Sequence, residues 1–386
     1  ILKKMDISVL FPALASLTWQ HILMIAIGLV LIYLAIFKEY EPTLLLPIGF
    51  GTILVNIPLS SAINQIDGKT GEIIDGILSI FYQGGIATEM FPLLIFIAIG
   101  AMIDFTPLFN NPHLLLFGAA AQFGIFMTMF IATLFGFDLK EAASIGIIGA
   151  ADGPTSIFVA SRFAPHLLGP ISVAAYSYMA LVPIIQPPVI RLLTSKKERL
   201  IRMQYSSKKV SRKALIAFPI VVTIISGLIA PASLSLIGFL MFGNLIRECG
   251  VLNKLSQSAQ NELASLVTIL LGITIASTMT AERFVTLGTL TIIALGLLAF
   301  VFDTFGGVIF AKLLNLVLPA NKKMNPMIGA CGISAFPMSA RVIHGMGLKE
   351  DPHNFLLMPA VSANVGGQIG SVVAGGLILT LVNLFA

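Results

Sequence analysis

The stretch Ile145-Gly-Ile-Ile-Gly-Ala-Ala-Asp-Gly-Pro-Thr-Ser156 decides how the rest of this chain is read. It places one carboxylate, Asp152, among apolar and small residues, and no Lys or Arg stands at helical spacing until Arg162. Gly149, Gly153 and Pro154 would interrupt a helix here and free backbone carbonyl oxygens. With the hydroxyls of Thr155 and Ser156 they supply hard oxygen donors of the kind a small alkali cation prefers. Asp152 also suits the N-cap of a helix beginning at Pro154, and a cap and a cation site are compatible.

The surroundings make that acid expensive. Of the 386 residues, 57% are hydrophobic and 11% charged, where soluble domains carry about 25% charged residues. The mean hydropathy is +0.97. Apolar runs at Ile22–Phe37, Leu114–Phe135, Val285–Phe302 and Ala360–Ala386 approach or exceed the roughly 20 residues that cross a bilayer as a helix. They lack the period-two alternation of barrel strands, so the fold class expected is an all-α polytopic membrane protein. About ten to twelve hydrophobic segments can be counted, several broken by Gly or Pro. A carboxylate inside such a protein needs a partner, and a bound cation or a proton is the natural one for Asp152.

The formal net charge of +5 does not point to nucleic acid, because eight of the 23 Lys and Arg cluster at Lys196, Lys197, Arg199, Arg202, Lys208, Lys209, Arg212 and Lys213. Such a cluster reads as a cytoplasmic loop, with a lipid-surface helix as the alternative. The polar start Lys3-Lys4-Met5-Asp6 precedes only a short apolar stretch broken by Pro12, which suggests a surface segment rather than a cleaved leader. Two cysteines, Cys249 and Cys331, exclude a disulfide framework, and the five His never fall at metal-ligand spacing.

The basic loop, 195–213, divides the chain into halves at 1–194 and 214–386. An offset of 183 lays Gly149, Pro154 and Ser156 over Gly332, Pro337 and Ser339 in Ile328-Gly-Ala-Cys-Gly-Ile-Ser-Ala-Phe-Pro-Met-Ser339. Upstream, Phe96-Ile-Ala-Ile-Gly-Ala-Met-Ile-Asp104 echoes Phe239-Leu-Met-Phe-Gly-Asn-Leu-Ile-Arg247. Paired interrupted segments in two halves are the mark of inverted repeats whose broken helices meet near the membrane midplane. Polar-dotted spans at Ala174–Pro183 and Ser362–Ser371 complete four elements that could enclose one site. In the second broken segment Asn325, Ser334, Ser339 and Arg341 form no hydrolase triad. Asn364 and Gln368, at i and i+4 on one face, suit either ligation or helix–helix hydrogen bonding. Asp104 reads as a capping or solvated acid, and Asp303 as either a second buried acid or an interfacial one.

From Ala35 onward the sequence resembles the β subunits of the sodium-pumping, biotin-dependent decarboxylases that act on oxaloacetate, methylmalonyl-CoA, glutaconyl-CoA or malonate. The stretches that carry the resemblance are Glu41-Pro-Thr-Leu-Leu-Leu-Pro-Ile-Gly-Phe-Gly51, Gly118-Ala-Ala-Ala-Gln-Phe-Gly-Ile-Phe126, the Asp152 segment, Ala174-Ala-Tyr-Ser-Tyr-Met-Ala-Leu-Val-Pro183 and Asn354-Phe-Leu-Leu-Met358. The resemblance implies a bacterial inner-membrane subunit that decarboxylates carboxybiotin, moves Na⁺ outward and consumes a proton. It implies Asp152, Tyr178 and Arg341 as catalytic residues, Arg341 and Ser334 as contacts for the carboxybiotin, and Asp152, Asn325, Ser334 and Asn364 as ligands for the transported Na⁺. The family's glycine falls on Gly329. Expected partners are a carboxyltransferase subunit, a biotin carrier, a small single-span membrane subunit and further copies of this chain. The segment between Pro58 and Phe91 is shorter than in oxaloacetate-type members, and Asp303 is not among the family's acids; both suggest a member serving a CoA ester. The rival reading is a secondary Na⁺-coupled carrier of a small carboxylate, which would work without a biotinylated partner.

Overall fold

The computed structural model describes residues 11–66, 70–203, 209–319 and 322–385. Lys3 to Asp6 and Lys208 lie outside them. The architecture is helical throughout, apart from a two-residue ribbon, β1 (Gln65–Ile66) and β2 (Ile73–Ile74), paired antiparallel with Gln65 opposite Ile74.

Six helices among the described residues are long and apolar enough to span a membrane, and eight if each of two bent pairs is one span. The long elements are α1 (Trp19–Phe37), α2 (Pro42–Asn56), α3 (Met90–Met102), α4 (Leu115–Ala121), α5 (Phe123–Leu134), α6 (Leu139–Gly146), α7 (Gly153–Phe163), α8 (Leu168–Ala180) and α9 (Val182–Leu193). Beyond the basic loop follow α10 (Arg212–Ile229), α11 (Leu234–Glu248), α12 (Ala264–Ile275), α13 (Leu287–Val317), α14 (Met338–Glu350) and α15 (Leu357–Phe385). One shorter apolar helix, α2, joins them, so the described residues hold fewer membrane-crossing segments than the ten to twelve hydrophobic segments counted in the sequence, because several of those are short or broken helices. The loop itself starts with a four-residue helix, Lys196–Arg199, capped by Ser195 and Glu198.

Apolar side chains point outward as well as inward. Leu228, Leu287 and Leu316 are each about 80% exposed, as a lipid-facing surface requires. Inside, small residues let backbones touch. A Cβ on Gly100 of α3 would overlap Leu240 O of α11, and one on Gly243 of α11 would overlap Ile97 O of α3. The contact is reciprocal, and each partner lies 143 residues from its counterpart, the spacing of the echoed motifs. Both cysteines are free, Cys331 buried and Cys249 half-buried.

Candidate functional site: two hairpin tips in contact

Asp138 begins α6 with a capping box, its side chain accepting from Glu141 N at 2.8 Å while Glu141 Oε2 accepts from Asp138 N at 3.0 Å. After Gly146 the helix tightens into a 3₁₀ turn, Ile147–Ala150, and Ala151 takes a left-handed φ of 52°. Asp152 is extended and caps α7, with Pro154 in the first turn where its missing N–H costs nothing. The chain then returns: His166 Nε2 lies 2.9 Å from Glu141 Oε1, so the two ends of the segment sit side by side. The segment is therefore a re-entrant hairpin with Ala150–Asp152 at its tip. Arg162, stacked 4.6 Å over Phe158, also pairs with Glu89 ahead of α3.

The second broken segment is built the same way. Asn325 caps a seven-residue 3₁₀ helix, Pro326–Gly332, its Oδ1 accepting from Met327 N at 3.1 Å. The chain turns through Ile333–Pro337 and leaves along α14. Both ends are tied to the start of the basic loop. Asn325 Nδ2 donates to Arg199 O (2.8 Å) and Ile201 O (2.9 Å), while Arg199 pairs with Glu350 (2.7 Å) and Arg202 with Asp351 (2.6 Å). The bent pair α8–α9 carries the chain from the feet of the first hairpin to this loop. Their tips touch, with Ser334 N donating to Ala150 O at 2.9 Å.

Asp152 stands at that junction, 4% exposed. Its Oδ1 accepts from Thr155 N at 3.2 Å and its Oδ2 from the Ser371 hydroxyl at 2.9 Å. Ser371 in turn lies 2.5 Å from Ser334 Oγ, so one hydroxyl chain joins α15, the second tip and Asp152. α15 presents Asn364, Gln368 and Ser371 to the tips. Asn364 Nδ2 donates to Cys331 O (3.3 Å) and Ile333 O (2.6 Å), Gln368 Nε2 to Ser334 O, and Gln122 Nε2 to Gly332 O (3.4 Å). The amide nitrogens are consumed in pinning four successive tip carbonyls. The opposite atoms, Asn364 Oδ1 and Gln368 Oε1, are buried without a partner, as is Thr155 Oγ1. Orphan oxygens around the two tips, and a carboxylate that forms no ion pair among the described residues, fit a bound monovalent cation.

A cavity of about 490 Å³ opens on the same point, lined by Asp152, Ser334, Gln368, Tyr176, Glu41 and Asn261 among others. The Tyr176 ring lies over Gly153, where any Cβ would overlap it.

The residues singled out in the sequence fall in three places. Asp152, Ser334 and Asn364 come together at the tips. Asn325 sits at the foot of its hairpin, and seven residues of 3₁₀ helix at about 2 Å each put it roughly 14 Å from the tip. Tyr178 points away from Asp152: its hydroxyl donates to Ile293 O, and its ring packs on Gly296 of α13. Arg341, one turn into α14, is exposed and pairs with nothing among the described residues. Gly329 crosses Gly307 of α13 at backbone contact. Asp104 accepts from Thr106 N at 2.8 Å and lies 4.0 Å from Arg247, while the N-cap position of the short helix that follows, Thr106–Asn110, falls on Phe105. Asp303 is completely buried. Sequence reasoning passed over Ser371, Tyr176 and Glu41. Ser371 could have been found, because it lies three residues after Gln368 on the same helix face.

Residues 20–382 match the family described as the Na⁺-transporting oxaloacetate decarboxylase beta subunit. The chain is 51% identical over 368 residues to glutaconyl-CoA decarboxylase subunit beta of Acidaminococcus fermentans, covering 95% of this chain and 94% of that one. It is 49% identical over 383 residues to methylmalonyl-CoA decarboxylase subunit beta of Propionigenium modestum (95% and 96%). It is 44% identical over 422 aligned positions to the probable oxaloacetate decarboxylase beta chain of Vibrio cholerae (96% and 97%). The chain belongs to the family of Na⁺-transporting decarboxylase β subunits, the membrane subunits of a sodium pump.

Proposed function

We propose that this subunit decarboxylates carboxybiotin at the junction of the two hairpins and uses the event to move Na⁺ outward while consuming a proton. The observation that carries the proposal is Asp152 at the tip contact, bonded to the Ser371 hydroxyl and paired with no cationic side chain among the described residues. Na⁺ would be held by Asp152, Ser334 and the orphan oxygens of Asn364, Gln368 and Thr155, with Ser371 orienting the carboxylate. Asp152 exchanges Na⁺ for a proton, which couples the two ions. Asn325 and Tyr178 support the site from a distance, the first by fixing the hairpin foot and the second by fixing α8 to α13.

Carboxybiotin, presented by a partner subunit, brings a labile N–CO₂⁻ bond whose cleavage releases CO₂ and requires one proton at the ureido nitrogen. Arg341, exposed and unpaired one turn from the tip, is placed to receive the carboxylate by paired hydrogen bonds. The proton is delivered from Asp152. The basic loop at 195–213 lies in the cytoplasm of a bacterial inner membrane, so the second hairpin has its feet on the side from which a carboxyltransferase subunit and biotin carrier would approach. A small single-span membrane subunit and further copies of this chain complete the assembly, and the two halves act as inverted repeats.

The higher identity to CoA-ester decarboxylase subunits supports a CoA ester as the acid served by the complex. The Vibrio cholerae alignment spans more positions than this chain has residues, so that relative contains segments absent here. The test is reconstitution of the membrane subunits in vesicles with free carboxybiotin and radioactive sodium. Na⁺-dependent CO₂ release with sodium uptake is expected; uptake without decarboxylation would sink the proposal in favour of a carrier.

A further inference from the structure

Asp303 lies near the middle of α13, a 31-residue span, and its side chain has no solvent exposure. Neither carboxylate oxygen has a hydrogen-bond partner. Two glycines enclose it. Gly149, in the 3₁₀ turn that leads to Asp152, faces Oδ2 so closely that a Cβ there would stand 2.7 Å away, and Gly124, in the first turn of α5, abuts Oδ1. The donors nearest the carboxylate are the peptide N–H groups of Gly124 and Ile125, which do not reach hydrogen-bond geometry.

Among the described residues no charged group pairs with it. The elements packed on α13 are α4, α5, α6, α8, α9 and the two 3₁₀ segments Ile147–Ala150 and Pro326–Gly332. α4, α5 and Ile147–Ala150 contain no titratable side chain. The others contribute Lys140 and Glu141 at the foot of α6, Tyr176 and Tyr178 on α8, Arg191 on α9 and Cys331. Of these, Glu141 pairs with His166 and Tyr178 with Ile293 O. None forms an ion pair or hydrogen bond with Asp303. On α13 itself, Lys312 is paired with Glu198.

An ionised carboxylate in such a place needs a counter-charge. A metal cation does not suit it, because the facing groups are glycine backbones and the positive N-terminal end of α5 rather than a shell of oxygens. Nor is it bonded as a cap: Gly124 and Ile125 carry the N2 and N3 amides of α5, the donors a capping acid would use, and neither carboxylate oxygen forms a hydrogen bond with them. Packing alone does not demand an acid. Gly332, in the same place in the second hairpin, backs onto Phe117 and Ala121, so an alanine occupies the corresponding position.

We propose that Asp303 carries a proton in this conformation and exchanges it when the first hairpin shifts against α13, giving the pump a second proton-exchanging acid on the reverse face of the Asp152 hairpin. The coupling to Na⁺ rests on the sodium-pump reading above; the proton on Asp303 does not. When the 3₁₀ turn moves, Gly149 uncovers the carboxylate and the α5 N-terminus closes on it, and both changes favour the ionised form.

Infrared difference spectra of the membrane subunits in vesicles, taken with and without Na⁺, test this directly. The carbonyl stretch of a protonated, buried carboxylic acid is expected in the wild type, changing on Na⁺ addition, lost in Asp303→Asn and retained in Asp152→Asn. A band that is absent, that survives Asp303→Asn, or that ignores Na⁺ overturns the proposal. Should Asp303→Asn fail to assemble, carbodiimide labelling of the wild type decides: modification of Asp303 is expected, and an unmodified residue across the pH range overturns the assignment. Sodium uptake in the same vesicles judges the pump reading separately.

Discussion

Ser334 N donates to Ala150 O at 2.9 Å, so the tips of the two re-entrant hairpins are joined by backbone rather than by side chains. That bond puts the hydroxyl of Ser334 beside Ser371 and, through it, within one further hydrogen bond of Asp152. A movement of the second tip is therefore transmitted to the carboxylate of the first.

Removing the acid should abolish the coupled reaction. Asp152→Asn keeps the shape of the cap but not the charge, and Na⁺-stimulated decarboxylation is expected to fall on the order of a hundredfold or more, as for loss of a proton-transferring group. Steady-state CO₂ release against Na⁺ concentration measures it, and a rate near that of the wild type would remove Asp152 from the mechanism.

Ser371→Ala should be milder and more specific. It deletes one hydrogen bond to a charged acceptor, worth about 1.5 kcal/mol, and should raise the half-saturating Na⁺ concentration roughly tenfold. Sodium titration of the decarboxylation rate reads this, with the maximal rate less affected than the half-saturation point.

Gly153→Ala tests the wall of the cavity. The added methyl overlaps the Tyr176 ring and must displace it or the tip, so activity should fall, and the double variant with Tyr176→Ala should recover part of the loss. Equal activity of the single and double variants would show that the ring does not fix the tip.

The foot of the second hairpin carries a pH dependence. Asp351 lies outside the spans, and the Arg202 guanidinium, with the His353 N–H, holds its carboxyl below the ordinary carboxylate value. A depressed acid contributes in full above its unfolded pKa, about 4, and its contribution is lost as the pH falls through the lower folded value. Protection factors at 199–203, the intrinsic exchange rate divided by the observed one, should therefore fall on acidification, and Asp351→Asn should show the lower protection already at neutral pH.

Arg199 and Glu350 form the better shielded pair of the same foot, with side chains 13% and 19% exposed. A double-mutant cycle with Arg199→Ala and Glu350→Ala should give a coupling of about 1 kcal/mol in thermal stability, above the median for exposed pairs. Asn325→Ala, which frees the carbonyls of Arg199 and Ile201, should speed tryptic cleavage of the basic loop.

The membrane fold was legible from composition and run length because lipid permits little else. Asp152 was legible because an unpartnered acid in an apolar stretch has few bland explanations. That the broken segments turn back on themselves was not readable, since Gly and Pro mark a break but not the direction taken after it. His166 against Glu141 and Arg199 against Glu350 decide that direction, and both are long-range pairs without periodic signature. The same limit explains the tyrosines. Tyr176 and Tyr178 are two residues apart on a helix and so face different sides, and only packing tells which one meets Gly153.

Each hairpin is fastened at its feet by charged side chains and meets the other only at the tip. The fastenings are Glu141 with His166 for the first and Arg199 with Glu350 for the second. The molecule therefore has two arms, each held at its own foot, and one backbone joint between them, so a pull on either foot is passed to the Asp152 carboxylate through the bond from Ser334 N to Ala150 O.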